Sequence, residues 1–438
     1  VRCNLACAHC RRLESNEADV ADLSTAQAES LIDQLAELGR RQSPRGEGVP
    51  PLRVAGILPA LRGRDAVATK EHGQDAHATE EHGPDALATK TAQMPMPVLV
   101  FSGGEPLCRT DLFSLVERAR RHGIVPALAT NGTLIDNDKA RQIRAAGIGR
   151  VSVSLDGATA DVHDRMRQIP GAFDQALKGI RCLREHGVPF QINMTLTKQN
   201  AGQLEEVYQL ARSLRAMAVH LFMLVPVGCG QSLAVTDMLS PQHYEEILQE
   251  ICMLEGRSQI QIKVTCGPHY ERVKRQLTPA VRSVPVRASD IRVAGVSPAC
   301  VEGVPPSQRG PEALGTRGQD ARDPTPHGVT TNAHRPSKGC LAGLGVLFVS
   351  HRGDVYPCGY LPIHCGNVVE QRLAEIWDQS EDLARMRDVA ALEGKCGLCE
   401  YKKVCGGCRA RAFGMTGNYM AEEPLCAYEP QPKRTDGS

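Results

Sequence analysis

An excess of charge of either sign is what this sequence most plainly lacks. Lysine and arginine number 51 against 50 aspartate and glutamate, a formal net charge of +1. No global basic field therefore draws the chain to nucleic acid or to an anionic membrane surface. There is also no uncharged apolar run long enough to cross a bilayer, which excludes a helical membrane span. The first residues, Val1 to Cys10, carry no apolar signal region, so the expected location is cytoplasmic. Tryptophan occurs once, at Trp377.

Cysteine, by contrast, is plentiful: there are 17 in 438 residues. Disulfide-stapled secreted chains are usually short, and this one is long enough for two domains and a large core. Ten cysteines fall in two sets, Cys3, Cys7 and Cys10 near the start and Cys340, Cys358, Cys396, Cys399, Cys405, Cys408 and Cys426 near the end. That grouping favours metal in a reducing compartment. Because the chain begins only two residues before its first cysteine, a preceding segment is expected to be missing.

Two stretches differ from the remainder. Residues 41–96 hold three copies of a unit that begins Gly63-Arg-Asp-Ala-Val-Ala-Thr-Lys, with further copies from Gly73 and Gly83. Residues 287–338 repeat part of the same material: Arg292-Val-Ala-Gly-Val-Ser-Pro-Ala nearly matches Arg53-Val-Ala-Gly-Ile-Leu-Pro-Ala. Such short copies offer little apolar surface to stack, so both stretches are read as flexible, idle insertions. Long loops are tolerated because closure entropy grows slowly with length.

With these set aside, strand and helix patterns alternate. Leu23-Ser24 is expected to cap a helix with Ala26, Leu31, Leu35 and Leu38 on its apolar face. Strands are expected at Pro97–Ser102, Val125–Thr130, Arg150–Leu155, Phe190–Leu196 and Val219–Val225, with helices between them. Repeated βα units imply a parallel sheet, barrel or doubly wound, that binds ligands beyond its C-terminal strand ends.

Cys3-Asn-Leu-Ala-Cys7-Ala-His-Cys10 spaces three thiols as C-x3-C-x2-C in one loop. Three thiolates can hold three irons of a 4Fe–4S cube and leave the fourth open. A zinc knuckle is the alternative, but it needs a fourth ligand, for which His9 is poorly placed. Phe101-Ser-Gly-Gly-Glu-Pro106 then ends a strand with glycines, which admit a ligand to the backbone, and a carboxylate suited to an ammonium group.

On these two motifs the chain resembles the radical S-adenosylmethionine (SAM) superfamily. The resemblance implies that Cys3, Cys7 and Cys10 ligate the SAM-binding 4Fe–4S cluster and that His9 lies against adenine. It further implies that Gly103, Gly104 and Glu105 hold the methionine amino group, and that Asn131, Ser154, Asp156 and Asn193 contact sugar and carboxylate. The implied fold is α/β, a partial (β/α)6 barrel whose first strand would precede Val1.

In the second cysteine set, Cys340 and Cys358 flank Gly353, and Cys396-Gly-Leu-Cys399, Cys405-Gly-Gly-Cys408 and Cys426 follow. Seven thiols exceed one tetrahedral site; a zinc ribbon is the alternative to clusters. The pattern resembles the SPASM extension of radical SAM enzymes, except that two residues rather than three separate Cys405 from Cys408. Carried over by position, Cys396, Cys399, Cys405 and Cys426 complete one auxiliary 4Fe–4S cluster. Cys340, Cys358 and Cys408 supply three ligands of another, with Cys266 and Cys365 as candidates for the fourth. One or two auxiliary clusters are thus expected.

The implied division is a barrel from 1–40 and 97–258, insertions at 41–96 and 287–338, a connector at 259–286, the auxiliary-cluster domain at 339–430 and a tail at 431–438. The tail motif from Cys405 to Cys426, together with His220–Gly228 and Thr265–Tyr270, resembles the radical SAM heme b synthases of the siroheme-dependent pathway. These convert two propionates of iron-coproporphyrin III to vinyl groups. The resemblance implies an iron-porphyrin substrate and an external low-potential electron donor such as flavodoxin or ferredoxin. Arg165 and Arg167, with His163, are expected at the propionates, and His269 and Tyr270 at the porphyrin or its iron. The rivals are a sister tetrapyrrole-modifying enzyme, a SPASM peptide-modifying enzyme and a non-catalytic iron–sulfur carrier.

Overall fold

The computed structural model describes residues 3–5, 7–10, 22–41, 53–57, 97–281 and 339–431. The ten-residue repeats and the whole 287–338 stretch lie outside the described residues.

Helix α1 (Thr25–Arg41) opens on Ser24. Its Oγ accepts the Gln27 N–H at 3.2 Å, while Gln27 Oε1 accepts the Ser24 N–H at 2.9 Å, a reciprocal cap. The buried face is Ala28, Leu31, Ile32, Leu35, Ala36 and Leu38. Ala26, expected there, is exposed; it precedes Ala28 by two residues, more than half a helical turn.

One sheet carries the molecule. Among the described residues eight strands run parallel: β1 (Arg53–Ile57), β2 (Val98–Ser102), β3 (Val125–Thr130), β4 (Arg150–Ser154), β5 (Phe190–Leu196), β6 (Ala218–Met223), β7 (Gln261–Thr265) and β8 (Val346–Val349). Between successive strands run α2 (Leu112–Arg121), α3 (Asn137–Ala145), the pair α4 (Ala160–Arg167) and α5 (Ala172–Glu185), α6 (Leu204–Ser213) and α7 (Pro241–Arg257); α8 (His269–Val281) follows β7. With β9 (Asp354–Tyr356) and β10 (Gly366–Asn367) the sheet order is β10-β9-β8-β1-β2-β3-β4-β5-β6-β7, open at both ends among the described residues, which makes a partial barrel.

The 41–96 stretch, read as an insertion, contributes a strand to the sheet. Arg53–Ile57 forms β1, pairing Arg53 with Val98 on one side and with Val346 on the other. A five-residue strand at this place gives β2 and β8 partners for backbone groups that would otherwise face a gap. Likewise β7 lies in the stretch read as a connector, yet pairs with β6 over five residues.

The C-terminal part enters the same sheet. Strand β8 (Val346–Val349) turns into β9 (Asp354–Tyr356) and β10 (Gly366–Asn367), both antiparallel to their neighbours. Helices α9 (Leu373–Gln379), α10 (Glu381–Arg387), α11 (Gly394–Leu398) and α12 (Arg409–Thr416) complete it. Two contacts clamp this part to α1: the Leu23 N–H donates to His351 C=O at 2.7 Å, and the Leu373 N–H donates to Gln34 Oε1 at 2.7 Å. Leu347, Val349, Leu373, Ile376 and Trp377 share one buried cluster with the barrel core. Among the described residues no helix is long and apolar enough to cross a membrane.

Candidate active site

The parallel strands end at one edge, and the cysteine loop is tied across it. Asn4 Nδ2 donates to Thr133 Oγ1 at 2.7 Å, and Asn131 Nδ2 donates to Asn4 Oδ1 at 2.8 Å. The Ala8 N–H donates to Met166 C=O at 3.1 Å, and Cys10 C=O accepts from the Cys229 N–H at 3.0 Å. Cys3, Cys7 and Cys10 are thereby anchored to the ends of β3, α4 and the segment after β6.

Asp156 is the hub beneath the loop. It is 0% exposed, its Oδ1 accepts the Thr195 N–H at 2.8 Å, and its Oδ2 meets Arg167 at 2.6 Å and His9 Nε2 at 3.3 Å. Burial opposes its ionisation, yet Arg167, His9 and His163 hold its carboxyl below the ordinary range. Asn200 fixes the backbone here, donating to Asp156 C=O at 2.7 Å and Thr195 C=O at 2.8 Å. Burial pulls His9 down to about 4, so its ring is neutral at physiological pH.

The three residues expected at the propionates do not form one patch. Arg167 is buried between Asp156 and the first cysteine set, donating to Cys7 Sγ at 3.4 Å. His163 is buried and accepts the Asp156 N–H at Nδ1, 3.0 Å away. Arg165 alone is exposed, because two residues along α4 turn it away from Arg167. Tyr270 is also spoken for: its hydroxyl donates to Glu255 at 2.7 Å, against α7.

Glu105, 2% exposed, ends β2's glycine turn. It accepts the Leu107 N–H at 3.1 Å, the Thr130 hydroxyl at 2.8 Å and the Asn131 N–H at 2.9 Å. Burial still outweighs these donors and raises the carboxyl to about 6. A buried carboxylate short of positive charge suits an incoming ammonium group. Ser154 ends β4 and is half-buried; Asn193, expected at a strand end, is half-buried beside it in the middle of β5, and its Oδ1 accepts from Gln191 Nε2 at 2.9 Å.

The second set of cysteines separates into two groups. Cys396, Cys399, Cys405 and Cys426 line one cleft together with His269, Arg272, Lys395, Tyr401, Lys402 and Tyr428. Cys340, Cys358 and Cys408 pack together elsewhere, and Cys266 packs in the same cluster. Cys266 takes a left-handed backbone, φ 58°, at the end of β7. Cys365, the other candidate, points away to Ile363 C=O at 3.5 Å and to Ser380. The turn Cys405-Gly-Gly-Cys408 sends its two thiols to different groups, with Gly406 and Gly407 both left-handed at φ 70° and 64°.

A buried pair that sequence alone does not single out stands between the groups. Glu423 accepts the Cys408 N–H at 2.6 Å and donates its own N–H to Cys396 Sγ at 3.4 Å. Arg411 pairs with it at 3.2 Å and reaches Leu224 C=O at 3.1 Å and Cys266 C=O at 2.7 Å. Both lie in the tail motif from Cys405 to Cys426, twelve residues apart, and it is the folded contacts that show them as a pair.

The donor chemistry fits iron–sulfur groups. Burial keeps Cys358 protonated, pushed up to about 12, and raises Cys426 to about 11, so metal loading must displace protons. Among the described residues no three or more His, Cys, Asp or Glu side chains close on a single ion. A four-iron cube spreads its sulfur ligands farther than one tetrahedral ion does.

Comparison with known proteins agrees with this arrangement. Residues 72–211 match the family model of the Radical SAM superfamily, and residues 340–409 match SPASM, an iron–sulfur cluster-binding domain. The chain is 37% identical to the AdoMet-dependent heme synthase of Methanosarcina barkeri, spanning 98% of this chain and 95% of that protein. It is 35% identical to the protein of the same name from Oleidesulfovibrio alaskensis, over 98% of this chain and 86% of that one. Among solved structures, native anSMEcpe with bound AdoMet aligns with a TM-score of 0.56 at 15% identity, covering 97% of this chain and 91% of that one. A chain so similar to these proteins along nearly its whole length belongs to the radical SAM superfamily, as an enzyme with a SPASM extension that uses a 4Fe–4S cluster, SAM and auxiliary iron–sulfur groups.

Proposed function

We propose that this enzyme oxidatively decarboxylates two propionates of iron-coproporphyrin III to vinyl groups, giving heme b. The observation that carries the reading is near full-length likeness to two proteins named AdoMet-dependent heme synthase. An iron porphyrin is then the substrate, and flavodoxin or ferredoxin a suitable low-potential donor.

When bound, the cluster and SAM supply one-electron hydrogen abstraction, which at a propionate β-carbon allows loss of CO2, a vinyl product and release of one electron. The chain's own residues arrange everything around that chemistry. Cys3, Cys7 and Cys10 hold the SAM-binding cluster, and Glu105 with Gly103 and Gly104 takes the methionine ammonium. Asn131 and Ser154, at strand ends, and Asn193, beside Ser154 within β5, stand where sugar and carboxylate would lie. Asp156, paired with His9 and Arg167, acts by holding those two side chains in place. Cys396, Cys399, Cys405 and Cys426 hold one auxiliary cluster, and Cys266, Cys340, Cys358 and Cys408 a second. Auxiliary clusters there would supply one-electron acceptors. Of the expected propionate partners, Arg165 keeps that role, because it is the one left exposed.

The test is anaerobic turnover of reconstituted protein with SAM, reductant and iron-coproporphyrin III, read by mass spectrometry. Two successive losses of the mass of formic acid are expected. An unchanged pigment alongside active SAM cleavage refutes the substrate assignment.

A further inference from the structure

We propose that His269 donates a hydrogen bond to a sulfur of the auxiliary cluster held by Cys396, Cys399, Cys405 and Cys426, and thereby raises that cluster's reduction potential. The inference rests on the reading that these four thiols hold a cluster.

His269 begins α8, is 1% exposed and lines the cleft formed by those thiols. Neither of its ring nitrogens has a hydrogen-bond partner in the protein. The nearest carboxylate oxygen, Glu423 Oε2, lies 4.0 Å from Nε2, beyond hydrogen-bond reach. Tyr244 packs edge-on against the ring, with centroids 5.1 Å apart and an 80° interplanar angle. A buried imidazole carries at least one N–H, and a donor enclosed with no acceptor is rare in native proteins.

Among the polar side chains that line the cleft with it, Arg272, Lys395, Lys402 and Tyr428 have partners of their own. Arg272 puts both terminal nitrogens on Glu245, at 2.8 and 2.5 Å, and lies over the Tyr428 ring; its Nε has no partner. Lys395 donates to Cys426 C=O at 2.5 Å and Lys402 to Gly397 C=O at 2.8 Å. The Tyr428 hydroxyl donates to Glu400. Sulfur is thus the acceptor offered to His269 in this cleft.

Cluster sulfurs grow more negative on reduction, and hydrogen bonds to them are among the determinants of cluster potential. A donor at this place stabilises the reduced form. His269 is therefore a positioning and tuning residue that acts through the cluster.

The experiment uses full-length, anaerobically reconstituted protein and an EPR-monitored redox titration of the auxiliary signals. His269→Phe should keep its iron content but shift one auxiliary cluster about tenfold toward the oxidised state, about 59 mV lower for one electron. His269→Gln, which keeps an N–H donor, should recover part of the shift. Pulsed EPR of the reduced wild type should show a coupled exchangeable proton that His269→Phe lacks. That last readout stands even if the Phe variant folds poorly, since His269→Gln labelled with 15N at the amide reports the same contact. Unchanged potentials in both variants, or equal shifts in both, overturn the proposal. A Cys396→Ser, Cys399→Ser double variant tests the premise separately: retention of all iron and all auxiliary signals would show that no cluster sits there, and the proposal would fall with that reading.

Discussion

Replacing Arg167 by methionine isolates the buried charge under the cysteine loop. Methionine keeps most of the apolar stem, so the change removes mainly the guanidinium and its 2.6 Å contact with Asp156. Asp156, 0% exposed, would keep the Thr195 N–H and His9, whose ring is neutral at pH 7. Breaking a buried pair by removing one partner costs about 3–5 kcal/mol, because the survivor is left uncompensated. Against a total stability of about 5–15 kcal/mol, that is a large fraction. Urea denaturation of oxygen-free protein at pH 7 measures it, with iron content followed in parallel because Arg167 also reaches Cys7 Sγ. Adding Asp156→Asn should return most of the loss, since no unpaired charge then stays buried. A single variant within about 1 kcal/mol of the parent, or a double variant no better than the single one, would refute the reasoning.

Three further outcomes follow from the same geometry. SAM binding should weaken as pH falls through about 6, because protonated Glu105 must lose its proton to pair with an ammonium; equilibrium binding should lose about tenfold per pH unit below that point, while Glu105→Gln binds weakly with a flat profile. Cys266→Ser should cost about four irons per chain, whereas Cys365→Ser should cost none; equal iron in both would dissolve the proposed four-thiol group. Gly179→Ala should destabilise by about 1–3 kcal/mol in thermal unfolding, because a Cβ on α5 would collide with the Gly132 carbonyl oxygen and sit 3.1 Å from Ile135 Cβ.

The parts of this molecule legible in its sequence are those whose chemistry is local. C-x3-C-x2-C and the glycine turn before Glu105 each lie within one loop, and the SPASM cysteines recur at fixed spacings along the chain, so residue order alone displays them. Val125–Thr130 and Phe190–Leu196 are strands with the bounds expected, because their apolar runs are short and bounded by turns. Strand β1 was hidden in repetitive sequence, since five residues gain strand character only from the neighbours they pair with. Long-range meetings were equally hidden. Nothing near Cys266 in sequence says that it packs with Cys408, and the order of residues around Arg167 does not show that Asp156 and Cys7 lie beside it. His269 drew attention as a porphyrin contact, but its position in the fold turns it toward thiols.

Consecutive left-handed glycines make the spacer between Cys405 and Cys408 a tight turn. A side chain at Gly407 would crowd Glu423 Cβ at 2.9 Å and Cys396 Sγ at 3.3 Å, so the wall between the two thiol pockets is main chain. The two thiol groups are thus joined through two residues of backbone, and an electron passing between clusters held there would cross that short turn.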